Sequence, residues 1–99
     1  MALEFETVSI NFSNVKGTQT ETRTVSFGGT VQRAEVAVQG FTVDFVSGDN
    51  NLDRMQVRTR RLDTAGNDVE IEAVVIVADR TRDDAYNATV NALIIANVT

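Results

Sequence analysis

The stretch VSFGGTVQRAEVAVQGFTVDFV, residues 25–46, decides the fold of this chain. Ala34, Val36 and Val38 fall on even numbers with Glu35 and Gln39 on odd ones, the period-two pattern of a strand with one buried face. After Gly40 the apolar residues move to odd numbers, Phe41, Val43 and Phe45. A continuous strand with that phase shift would turn half its apolar set to solvent, so Gln39-Gly40 marks a bulge, a corner or a break. Such devices belong to folded-over sheets. The expected fold is therefore all-β, a six-stranded antiparallel β-sandwich. Scaffolds of this kind bind or assemble more often than they catalyse, although a fold alone does not assign a function.

Outward from this segment the same reading gives the remaining strands. Val8, Ile10 and Phe12 alternate with Ser9 and Asn11 in a first strand, and the β-branched run 20–27 closes at Gly28-Gly29, a turn signal. Segments 31–39 and 41–46 are two strands or one bent strand. Residues 47–51 read as a turn and 52–62 as a strand. A five-residue connection, 63–67, then places Gly66 at positive φ, and 68–78 returns as the second arm of a hairpin. Residues 79–85 form a charged loop before a final strand, 86–98. Helical periods and heptads are absent, and a chain without proline leaves long strands uninterrupted. The 99 residues read as one domain, with 1–24 an N-terminal strand and loop and 25–98 the core.

Two segments break the alternation. Residues 73–78, AVVIVA, and 93–96, LIIA, are apolar on both faces. A two-layer sandwich buries one face of each sheet, so the second face needs a cover: another copy of the chain, or the 13–24 segment folded over the strands. The first alternative implies an oligomer. Its interface candidates are Val74, Ile76, Leu93 and Ile95, which lie on the phase opposite to Val75, Val77 and Ile94.

Composition narrows the function classes. A net charge of −5 argues against nucleic acid, whose binding depends on a clustered basic footprint. No apolar run approaches the ~20 residues of a membrane-spanning helix, so membrane insertion is not expected. Residues 1–20 carry Glu4, Glu6 and polar side chains where a signal peptide has a basic end and an apolar middle; an extracellular or particle-associated location is the expectation all the same. Without cysteine or histidine the usual nucleophile, general base and metal ligands are missing, so neither enzyme activity nor a cofactor is expected.

Several constellations remain. Arg54, Gln56, Arg58 and Arg60 share one strand face by period two, a stripe suited to carboxylates, sulfates or sugar hydroxyls. With a five-residue turn, Arg60 would instead lie opposite Glu70 and Arg58 opposite Glu72, which would neutralise the stripe. Asp49, Asn51 and Asp53 open like a calcium loop, but Arg54 and Arg60 stand where glycine and glutamate belong, so a self-capping turn is the reading and no metal site is expected. Asp79, Arg80, Arg82, Asp83 and Asp84 make the most charged loop, a binding candidate or a solvated surface. Glycosylation triplets begin at Asn11, Asn87 and Asn97 and carry little weight.

The stretches VSFGGTVQRAEVAVQGFTVDF, NNLDRMQVRTRRLDTAGNDVEIEA and AYNATVNALIIANV, within residues 25–98, resemble the H-type lectin domain. That family is a small six-stranded antiparallel sandwich that forms trimers and binds galactose-type sugars in a cleft between protomers. The resemblance implies a homotrimer or hexamer with glycans as partners. It places Arg58, eight positions before Gly66, at the family's ligand-binding arginine, and Tyr86 at the tyrosine that opens the last strand. Where the family has an aromatic–histidine pair this chain has Asp79-Arg80; carboxylate and guanidinium groups hold sugar hydroxyls, but the flat apolar face for ring stacking is gone. A carbohydrate-binding, lectin-like module is thus one expectation. The other is a non-catalytic structural or adaptor module of a larger assembly, such as a tail-fibre or receptor-tip particle.

Overall fold

A computed structural model describes residues 2–46, 54–78 and 85–99. Its strands are β1 (Ala2–Val15), β2 (Gly17–Ser26), β3 (Val31–Phe45), β4 (Arg54–Ala65), β5 (Asp68–Ala78) and β6 (Tyr86–Val98). They form two antiparallel three-stranded sheets, ordered β1-β6-β3 and β2-β5-β4.

The two central strands supply most of the core. Val69, Ile71, Ala73, Val75 and Val77 of β5, and Ala88, Val90, Ala92, Ile94, Ala96 and Val98 of β6, are all buried at period two. On β6 small and branched side chains alternate, which lets the inner faces of two sheets interdigitate. Each fully buried Val or Ile contributes about 1.5–3 kcal/mol through removal from water.

The phase shift in β3 is a bulge within one strand. Val38 pairs with Ala92 and Gly40 with Asn91, so Gln39 is the extra residue. Beyond it Phe41, Val43 and Phe45 pair with Val90, Ala88 and Tyr86, just as Val36 pairs with Ile94 before it. Both halves therefore turn their apolar residues to the same face of the sheet, where Val36, Val43 and Phe45 pack against the core while Phe41 stays 47% exposed, which is what one inserted residue achieves in a period-two strand.

Two local expectations need correction. Residues 13–24 are not a loop: β1 continues to Val15 and β2 begins at Gly17, with Lys16 alone between them. Positive φ at Asn14 (52°) and Gly17 (66°) turns the chain there from one sheet into the other. The β4–β5 connection is also shorter than five residues, a two-residue turn of Gly66 (φ 60°) and Asn67 preceded by a register shift between Arg61 and Asp63. The tight turn and the extra Leu62 slide the pairing by two positions. Arg60 lies opposite Glu72 and Arg58 opposite Val74.

Hydrogen bonds pin the far end of the molecule. The Phe27 amide donates to Asn67 O (2.8 Å), Val31 N to Gly66 O (2.8 Å) and Thr99 N to Thr30 O (3.0 Å). The crossover from β2 to β3 is thereby tied to the β4–β5 turn. Gly29 is required at that crossover, because a Cβ there would stand 2.2 Å from the Thr99 carbonyl oxygen.

Candidate functional site

Arg54, Gln56, Arg58 and Arg60 do share the outer face of the β2-β5-β4 sheet. Their partners on β5 are Ala78, Ile76, Val74 and Glu72. Arg54 Nη2 donates to Gln56 Oε1 (2.7 Å), and Arg60 Nε pairs with Glu72 Oε1 (2.9 Å). Arg58 is exposed and has no ion pair among the described residues. The expected Arg58–Glu72 pairing is replaced by Arg58 beside Val74, a direct result of the two-position slide. On the other side of β5, Thr18 pairs with Ile76 and Thr20 with Val74. The face thus reads in rows across the sheet: Thr20, Val74, Arg58, then Thr18, Ile76, Gln56.

Tyr86 does not reach this surface. It is 0% exposed, and its hydroxyl donates to the Gly17 carbonyl at 2.7 Å. A large aromatic side chain with one polar end satisfies the core and a buried acceptor together; burial pushes its phenol above the ordinary value of 10.0. As a surface ligand contact Tyr86 is corrected to an internal anchor of the β1–β2 corner. Asp79, Arg80 and the other residues to Asp84, like Asp49, Asn51 and Asp53, lie outside the described residues.

No family model, curated protein or solved structure matches this chain.

Of the four interface candidates, Val74 and Ile76 are already only 6% and 9% exposed, flanked by threonine hydroxyl side chains on β2 and by Gln56 and Arg58 on β4. The stems of long polar side chains cover apolar neighbours while the charged ends stay in water. Leu93 and Ile95 are half-buried on the outer face of β6. Next to them sequence reasoning missed two residues, Leu3 (67% exposed) and Phe5 (61% exposed), which pair with Asn97 and Ile95. The signal was there: Leu3 and Phe5 are odd-numbered, whereas Val8, Ile10 and Phe12 are even. In β1 no register shift falls between them, so this phase flip leaves apolar side chains outside.

A cavity of about 300 Å³ opens on that face, lined by Leu3, Arg33, Ala34, Glu35, Ile95 and Asn97. A second, of about 180 Å³, is lined by Thr24, Asp63, Ala65, Asp68 and Glu70. Among the described residues no cluster of acidic groups is arranged to hold a metal ion, and no helix is long and apolar enough to cross a membrane.

Proposed function

We propose that this chain is a non-catalytic, lectin-like carbohydrate-binding module that works as a homo-oligomer, with Arg58 as its principal ligand contact and Asp79 and Arg80 as further contacts. One observation supports it above the others: the exposed Arg58, with no ion pair among the described residues, shares the outer face of its sheet with Gln56, Thr18 and Thr20. A guanidinium, an amide and hydroxyls supply the dense donors and acceptors that a polyhydroxylated ligand needs. A glycan array of galactose-type, anionic and other sugars presented at high valency is the test. Binding that falls by about 1.5–3 kcal/mol in Arg58→Ala supports the reading, since a hydrogen bond to a charged donor is worth that much; no binding to any sugar sinks it.

The second reading is a structural or adaptor module of a larger particle. The burial of Tyr86 favours it, because one of the positions matched to the lectin family is then committed to the core. Assembly needs only apolar surface, and the Leu3–Phe5 face supplies that. An oligomer that stays intact while the array stays blank decides for this reading.

A further inference from the structure

We infer, on the lectin-like reading above, that the ligand held at Arg58 is an anionic sugar, one bearing sulfate or carboxylate groups, and that it lies along β4 between Arg54 and Arg60.

The outer face of the β2-β5-β4 sheet is divided by charge. Across it, the rows Thr24-Glu70-Asp63 and Ser26-Asp68-Ala65 carry three carboxylates and no cation. In the row Thr22-Glu72-Arg60 the two signs meet, with Arg60 Nε bonding Glu72 Oε1 at 2.9 Å. Beyond it the rows Thr20-Val74-Arg58 and Thr18-Ile76-Gln56, and the pair Ala78-Arg54, carry two arginines and no carboxylate. A chain of net charge −5 thus gathers guanidinium groups on half of one face. Same-face residues of a strand stand ~6.7 Å apart, so the row from Arg54 to Arg60 spans about 20 Å.

Three properties of this half select the ligand. Its open hydrogen-bonding groups are mainly donors. Gln56 Oε1 already accepts from Arg54 Nη2 at 2.7 Å, and the Glu72 side chain, turned to Arg60, is only 17% exposed against 68% for the arginine. What faces solvent is the guanidinium of Arg58, the remaining N–H groups of Arg54, Gln56 and Arg60, and the hydroxyls of Thr18 and Thr20. A neutral sugar hydroxyl donates as well as accepts and meets few acceptors here; a sulfate or carboxylate only accepts, and a guanidinium grips it with two parallel N–H bonds. The second property is the lack of an open apolar surface on which a sugar ring could stack, since Val74 and Ile76 are buried. Affinity at this site has to come from charge and hydrogen bonds. The third is the acidic half itself: Asp63, Asp68 and Glu70 repel an anion, so the ligand ends at Arg60 and its orientation along the strand is fixed.

Calorimetric titration of the full chain with galactose-type oligosaccharides that are neutral, sulfated or carboxylated tests the inference, with circular dichroism confirming that each variant folds. The sulfated and carboxylated forms are expected to bind at least about tenfold more tightly than the neutral one, because each adds hydrogen bonds between charged groups. That advantage should fade as salt rises from about 0.1 M to about 1 M and screens the exposed arginines. Arg58→Gln should abolish the tenfold preference. Glu72→Gln, which releases Arg60 and removes a negative charge, should tighten binding of the charged forms by about two- to fivefold, the worth of an exposed ion pair. No binding to any sugar, in solution or on the array, overturns the lectin-like reading and this assignment together. A neutral oligosaccharide that binds as tightly as the charged ones leaves that reading standing and overturns the anionic class alone, and so does a preference that survives high salt or the Arg58→Gln substitution.

Discussion

Tyr86 shows at the residue scale how one side chain joins the two sheets. It opens β6 in one sheet and its hydroxyl holds Gly17 at the start of β2 in the other. Tyr86→Phe keeps the ring and leaves the Gly17 carbonyl without this donor, so the loss should be about 1–3 kcal/mol in chemical denaturation. The sign of the pH dependence follows from burial. Because the folded pKa is raised, stability is fully present below the unfolded value near 10 and falls as pH rises from there through the folded value, where the unfolded chain releases a proton that the folded chain retains. In Tyr86→Phe that alkaline loss should vanish; a decline that persists unchanged in the variant would assign it to other groups. Residue-scale chemistry was unevenly legible in the sequence. Positive φ at Gly66 follows from its place in a turn, but the partner of Arg58 does not, because two small local events, a tighter turn and one extra residue, shift every pair along the hairpin.

Elements were legible wherever the apolar period was clean. The bend in β3 is the best case, since the phase change at Gln39-Gly40 and the bulge observed there are the same fact seen in sequence and in space. It also makes a prediction. Deleting Gln39 removes the extra residue yet leaves Val36, Val38, Phe41 and Val43 on one phase, so the variant should fold with a thermal midpoint close to that of the unmodified chain. Unfolding on deletion would mean that the bulge itself carries an essential bend. The identical signal in β1 had the opposite outcome, because there Leu3 and Phe5 flip phase without a register shift and remain exposed. Period alone cannot distinguish a bulge from a truly two-sided strand; Gly40 beside the flip was the clue in β3, and β1 has no glycine near its own. The start of the second strand is not legible in the sequence, because threonine alternating with Gln19, Glu21 and Arg23 presents no apolar period at all.

The molecule as a whole is long and thin, 51 × 18 × 18 Å, and its two sheets differ in how they are wired. The β2-β5-β4 sheet is drawn from the continuous span between Gly17 and Ala78, whereas β1-β6-β3 needs both ends of the chain, with β6 as the strand between. A chain made from its N-terminus thus completes the first sheet while the second still lacks its middle. Until Tyr86–Val98 arrives, β1 and β3 have no hydrogen-bonded neighbour in their sheet, and Phe5, Ile10, Phe12 and Phe41 wait in strands with open edges, the condition in which nascent β-proteins are most prone to aggregate. Ribosome-bound chains stalled before residue 86 should be sensitive to protease across β1 and β3, and protection should appear there only when the last strand has emerged. The order of synthesis thereby makes the final thirteen-residue strand the closing bolt of the fold, and damage to it is expected to lower the yield of folded chain.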